Sequence, residues 1–163
     1  MKVLIIGGVA AGTKTAAKLK REDRSTEITV ITRERNISYA GCGLPYYVGG
    51  LVENREALII NTPEKYAELT GVEVRTGKEA ISLDADKKQV TVKDLFTGEE
   101  EVCTYDKLVL AVGASPAELL IPGMAQQGVF KMRTPDDAAA IRSYMEENQV
   151  KKAVVIGAGF IGL

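Results

Sequence analysis

The chain contains no histidine in its 163 residues and no Cys-x-x-Cys pair, so it offers little from which to build a protein zinc site, and no metal is expected. Its two cysteines, Cys42 and Cys103, lie far apart and do not form the dense framework of a small secreted disulfide protein. An excess of one charge is also missing. Twenty-one basic residues face 22 acidic ones, and the net charge of −1 gives no electrostatic reason to expect nucleic acid as a partner. No apolar run is long enough to cross a bilayer, so no membrane partner is expected. The opening Met1-Lys2-Val3-Leu4-Ile5-Ile6-Gly7 lacks a cleavable signal pattern, because its apolar stretch runs straight into a glycine turn. A cytoplasmic location is the default expectation. Low-complexity segments are absent as well.

What remains is the profile of a soluble globular protein, 45% apolar and 26% charged, at a length that suits one ordinary domain. Val3 to Ile6 is an aliphatic run ending in glycine, as a buried parallel strand would be. Ala10 to Arg21 reads as a helix whose small Ala16 and Ala17 can lie close to a sheet, and Glu27 to Thr32 reads as the next strand. Together these make a βαβ unit. Thr62-Pro63-Glu64 opens a short helix that closes before Gly71, and Val72 to Arg75 follows as a third strand. From 78 to 105 the pattern alternates around the turn Thr97-Gly98-Glu99, which predicts an antiparallel meander. Leu108 to Gly113 returns to the buried-strand pattern. After the turn Ile121-Pro122-Gly123, a helix over 136–147 leads to a last strand, Ala153 to Ile156.

Gly7-Gly8-Val9-Ala10-Ala11-Gly12 occupies the place of a dinucleotide-binding turn. Gly7 permits the tight turn and Gly12 close helix–strand packing, while the amides at the helix start suit a pyrophosphate. Val9 stands where the middle glycine usually lies, and the same residues also suit an ordinary strand-to-helix turn. The acidic residue expected at the end of the second strand is replaced by Thr32, with Arg33 and Glu34 after it. A threonine hydroxyl offers a weaker ribose contact, and Glu34 a substitute if the strand end bends. The turn does not choose between FAD and NAD.

Ser38-Tyr39-Ala40-Gly41-Cys42-Gly43-Leu44-Pro45-Tyr46-Tyr47 is the most specific stretch. Glycine on both sides of Cys42 signals close backbone approach, and Pro45 suits the first turn of a helix. A nucleophilic cysteine needs its thiolate, which the positive end of such a helix favours. Cys103, within an alternating strand, reads as a packing residue.

This segment resembles the single-cysteine flavin disulfide reductases, a family that includes coenzyme A disulfide reductase, NADH oxidase and NADH peroxidase. The resemblance spans the chain. Ala111-Val112-Gly113-x-x-Pro116 resembles the second flavin motif, Ile121-Pro122-Gly123 the exit from it, Arg133-Thr134-x-x-Asp137 the connector, and Gly157 to Gly162 the NAD fingerprint. It implies an α/β fold, a Rossmann-like FAD-binding domain of the glutathione reductase type with an antiparallel β-meander, cut off where an NAD(P)-binding domain starts. The implied division is 1–120 for the FAD-binding part, 121–150 for a connector and helix, and 151–163 for the first strand and glycine turn of the NAD(P) domain.

The resemblance implies FAD as cofactor, with NADH or NADPH as electron donor. Electrons would pass from NAD(P)H through FAD to the catalytic Cys42 and on to a coenzyme A disulfide, persulfide or polysulfide. Cys42 has no partner cysteine nearby, so its oxidised form is a mixed disulfide or a sulfenic acid. FAD would be held by Gly7, Gly8, Val9, Ala10, Ala11, Gly12, Thr32, Arg33, Cys42, Ala111, Val112, Gly113 and Arg133, and NAD(P) by Gly157, Gly159 and Gly162. Lys14, Lys18 and Arg21 share one helix face. With Ser38 they would bind the phosphate-rich part of coenzyme A, although the same face also reads as a solvated basic surface. Ala10 stands where the oxidase and peroxidase branches carry a histidine, which favours the disulfide-reductase branch. Against coenzyme A stands Gly41, where an asparagine often precedes the cysteine. An NADH oxidase and a non-catalytic FAD-binding fragment are the alternatives. A homodimer is implied for the full-length enzyme.

Overall fold

A computed structural model of the chain describes residues 1–157. β1 (Lys2–Ile6) runs through a glycine turn into α1 (Ala10–Glu22), and β2 (Glu27–Thr32) pairs parallel with β1, Val3 beside Ile28 and Ile5 beside Val30. A short 3-10 turn at Gly41–Gly43 leads into α2 (Leu44–Val48), and a second at Arg55–Leu58 precedes α3 (Pro63–Thr70) and β3 (Glu73–Thr76). The meander β4 (Lys78–Asp84), β5 (Gln89–Asp94) and β6 (Glu100–Thr104) follows, then β7 (Lys107–Leu110) and α4 (Pro135–Glu147). The parallel sheet has the order β3-β2-β1-β7, and the antiparallel sheet the order β4-β5-β6. Among the described residues no helix is long and apolar enough to cross a membrane.

The central strands β1 and β2 carry apolar residues on both faces, and each face is covered. Val3, Ile5, Ile28 and Val30 pack with Ala16 of α1 and Tyr66 of α3. Leu4 and Ile31 on the opposite face pack with Val90 and Val92 of β5. Ala16 is fully buried, and its small side chain lets α1 lie close to the sheet. Emptying either layer, for instance by Ile31→Ala, costs about 2–5 kcal/mol. The Tyr66 hydroxyl donates to the Thr13 carbonyl, tying α3 to α1.

Helix ends follow the local chemistry. The Thr62 hydroxyl accepts from the Lys65 amide at 3.2 Å, and Gly71 closes α3 in the left-handed region at φ 71°. α4 starts with a reciprocal capping box between Thr134 and Asp137.

Two expectations need correction. Residues 153–156 form no strand: Val154, Val155 and Ile156 are exposed, and no strand among the described residues pairs with them. An aliphatic run becomes a strand only when a neighbour takes up its backbone hydrogen bonds. The run from Leu108 forms only the short β7, with Leu110 61% and Val112 62% exposed. Among the described residues β7 pairs with β1 alone, so the pattern of a central strand lands on an edge.

Candidate functional site

The parallel order brings the ends of β1, β2 and β7 to one rim of the sheet. Gly7 turns sharply out of β1 at φ 112°, its amide donating to the Ile31 carbonyl at 2.8 Å. A Cβ on Gly7 would lie 2.0 Å from the Ala111 carbonyl oxygen, and one on Gly12 only 1.8 Å from the Gly7 carbonyl oxygen. Both glycines are therefore required by backbone-on-backbone approach, as the sequence predicts. Gly8 is tight as well, its missing Cβ 2.9 Å from the Thr32 methyl. Val9 supplies no side-chain cap to α1, and the first turn holds no acidic residue. The leading amides of α1 are thus left for another acceptor.

A cleft of about 890 Å³ opens on this rim. Gly7, Gly8, Val9, Ala10 and Ala11 form one wall; Thr32, Arg33 and Glu34, at the tip of β2, form the next. Ala111, Val112 and Gly113 close it beside β7, and Arg133 reaches in from the segment before α4. The sequence missed Tyr39 and the stretch Lys78–Ala80 of β4, which complete the lining. No local pattern marks Lys78–Ala80, because the meander reaches the rim only through its docking on Leu4 and Ile31; Tyr39 stands within the segment Ser38–Tyr47 that the sequence did single out.

Charge in the cleft is paired. Arg133 holds Glu34 at 3.2 Å, Arg33 approaches Glu34 at 3.6 Å, and Arg33 also approaches Glu79 at 3.8 Å. The Tyr39 hydroxyl is pushed above its usual range, first by burial and then by the Glu34 carboxylate. Its proton points toward the Arg133 carbonyl at 3.5 Å, a long contact.

Cys42 is exposed, in the 3-10 turn just before α2. It does not itself line the cleft, but its neighbour Gly41 does. Gly41 has open space where a Cβ would stand, contrary to the close approach expected on that side. Gly43 is the tight one, 3.0 Å from a Leu58 methyl. The segment is anchored from both sides. The Ala40 amide donates to the Leu58 carbonyl at 2.8 Å, the Ile60 amide to the Ser38 carbonyl at 3.0 Å, and the Ser38 amide to the Gly8 carbonyl at 3.0 Å. Ser38 achieves this in the left-handed region, at φ 49°. α2 has Pro45 in its first turn but only five residues, so its macrodipole is small.

α4 holds this segment, which the sequence did not reveal. Leu44 and Leu58 pack on Ala138. Arg142 lies over the Tyr47 ring at 4.8 Å and donates to the carbonyls of Tyr47, Val52 and Glu53 at 3.3, 3.2 and 3.0 Å.

Other candidates lie elsewhere. Lys14, Lys18 and Arg21 are exposed on α1 and do not line the cleft; Lys18 is ion-paired with Glu22. Cys103 is half-buried on β6 against the Val90–Val92 cluster, where burial raises its thiol above the usual value, in keeping with a packing residue. Gly157 has φ 120°, and a Cβ there would meet nothing within 4 Å among the described residues, while Gly159 and Gly162 fall outside them.

Comparison with known proteins adds to this geometry. A family model for pyridine nucleotide-disulphide oxidoreductases matches residues 1–163. The chain is 36% identical over 162 residues to a coenzyme A disulfide reductase of Staphylococcus haemolyticus, covering 99% of this chain and 36% of that protein. It is 40% identical over 163 residues to an NADH oxidase of Methanocaldococcus jannaschii, again 36% of that protein's length. The solved structure of an NAD-dependent persulfide reductase from A. fulgidus superposes with a TM-score of 0.93 at 39% identity, over all of this chain and 31% of that one. The chain thus spans about a third of the length of the relatives it matches.

Proposed function

The chain belongs to the pyridine nucleotide-disulphide oxidoreductase family, and on that premise we propose that it carries the FAD site and redox cysteine of an NAD(P)H-dependent disulfide reductase. The observation that carries this reading is the cleft in which the Gly7–Ala11 turn, the segment 111–113, Arg133 and the neighbour of Cys42 meet. Its volume, about 890 Å³, is at the upper end of the ~300–1,000 Å³ of small-molecule sites, as a dinucleotide cofactor needs. Close approach at Gly7, Gly8 and Gly12 leaves the free amides of α1 facing outward, a fit for a pyrophosphate. FAD, when bound, supplies two-electron chemistry between a nicotinamide and a sulfur.

The chain's own residues perform the rest. The turn and Arg133 would hold the anionic part of the cofactor, and the anchored ribbon Ser38–Ala40 positions Cys42 next to the cleft-lining Gly41. The Cys42 thiolate attacks one sulfur of the substrate disulfide, forms a mixed disulfide and releases one thiolate. Two electrons drawn from NAD(P)H and one proton then restore the Cys42 thiolate and release the second thiol.

The substrate class is a small disulfide such as coenzyme A disulfide, a persulfide or a polysulfide. Lys14, Lys18 and Arg21, with Ser38, form the face that receives a phosphate-rich substrate, and the complete enzyme is a homodimer. An oxidase reading is disfavoured by the wall of the cleft: Ala10 offers no proton donor there, and the chain has no histidine.

The full-length protein is expected to purify yellow and to release FAD on denaturation, measured by chromatography of the freed flavin. FMN in its place, or no flavin after incubation with FAD, would refute the reading.

A further inference from the structure

Dinucleotide sites of this architecture usually place a carboxylate at the end of the second strand to accept from the ribose hydroxyls. This chain has Thr32 there, and the structure shows that Thr32 is ill-suited to the task. The residue is 4% exposed, its methyl faces the Gly8 backbone, and its hydroxyl oxygen accepts from the Glu34 amide at a long 3.4 Å. That contact bends the chain just after β2 and returns Glu34 to the cleft wall.

We infer that the Glu34 carboxylate, two residues beyond the usual place, is the acceptor for the ribose hydroxyls of the adenosine half of the cofactor. The inference rests on the reading of the cleft as an FAD site. Both arginine contacts of Glu34 go to one oxygen: Arg133 at 3.2 Å and Arg33 at 3.6 Å approach Oε1. Oε2 accepts no hydrogen bond among the described residues. A carboxylate has about four acceptor positions on its two oxygens, so the arginine pair leaves capacity for hydroxyl donors. The arginines also fix the carboxylate in place for such donors. The other carboxylate on the cleft wall, Glu79, comes from β4 and is 40% exposed in its side chain; its ion pair is the long one to Arg33. Glu34 is the better-held acceptor.

The test uses full-length protein stripped of flavin, and compares the dissociation constants of FAD and of an FAD analogue lacking the 2′-hydroxyl of the adenosine ribose. Wild type should bind the analogue about tenfold more weakly, the size of one hydrogen bond to a charged group. Glu34→Ala should bind the two equally, and Glu34→Gln should restore part of the discrimination. A general weakening through the lost hold on Arg133 lowers both affinities and cancels in the ratio. Discrimination that persists in Glu34→Ala, or that is lost in Glu79→Gln instead, overturns the inference while leaving the FAD site standing. Wild-type protein that binds FAD but does not discriminate also overturns it. Failure of wild type to bind FAD at all overturns the proposed function together with it.

Discussion

The rim of the parallel sheet and the meander behind it are built by different means. At the rim, backbone meets backbone: Gly7 lies against Ala111, Gly12 against Gly7, and the ribbon before Cys42 hangs on amide–carbonyl bonds. In the meander, an antiparallel backbone ladder is reinforced and docked by side chains. Lys78 pairs with Asp94 at 2.8 Å, Arg75 with Glu101 at 3.5 Å, and Val90 and Val92 fill the face toward the sheet. A turn made of backbone leaves room for a large ligand beside it but no room for a methyl group at Gly7 or Gly12. Side-chain ion pairs and apolar docking around a regular ladder tolerate exchange better, because long side chains adjust.

The cysteines test that contrast most strongly. Cys42→Ser should keep the fold, the flavin and reduction of that flavin by NAD(P)H, yet lose disulfide reduction by about a thousandfold or more in kcat. Cys103→Ser should leave turnover unchanged and cost about 1 kcal/mol, measured by chemical denaturation, for placing a hydroxyl in a half-buried site. Reversal of the two outcomes would sink the assignment of Cys42.

Two glycines separate the regions next. Gly12→Ala forces a Cβ to within 1.8 Å of a carbonyl oxygen, and should destabilise the protein by about 3 kcal/mol and abolish flavin retention. Gly98→Ala, in the meander turn, meets nothing within 4 Å and suffers only the left-handed φ of 79°, a cost of about 1 kcal/mol. Equal losses from both, compared in parallel melts, would erase the distinction drawn here.

A smaller effect is expected on α1. Replacing Lys14, Lys18 and Arg21 together by alanine should raise KM for coenzyme A disulfide about fivefold at low salt with kcat nearly unchanged, as for charges used in uniform binding. An unaltered KM would return this face to ordinary solvated surface.

The last effect belongs to the meander alone. Asp94 is held at about 2, first by the Lys78 ammonium and then by the amides of Thr97 and Phe96. A carboxylate depressed on folding contributes its stability above the unfolded value, about 4, and loses it as the pH falls toward 2. Asp94→Asn should flatten that part of the acid limb of Tm and leave Cys42 chemistry at neutral pH untouched. A limb of unchanged slope would show that the turn does not depend on this pair.

The βαβ unit was legible because each of its signals is local. Glu27–Thr32 is a short β-branched run, Ala16 is small at the position that meets the sheet, Gly12 is demanded by the Gly7 carbonyl five residues before it, and Gly7 turns at a positive φ of its own. The cap of α3 was readable for the same reason, since a cap and its amide lie three residues apart. The run 153–156 misled because aliphatic pattern reports capacity to pair and says nothing of a partner. Gly41 misled because a glycine that faces a cleft and one that faces a neighbouring methyl look alike in a sequence.

From the sequence alone came the order of elements, the two glycines that no other residue can replace, and one cysteine set between glycines. The tertiary structure alone decided that β7 lies beside β1 and so sets Ala111 against Gly7. It also brought Arg133 to Glu34, 99 residues away, and laid Arg142 across carbonyls at the end of α2 and just after it. The physical reason is the range of the forces involved. Propensity, capping and turn strain act within a few residues, whereas a site assembled at a sheet rim depends on strand order, which is set by burying both faces of the sheet at once.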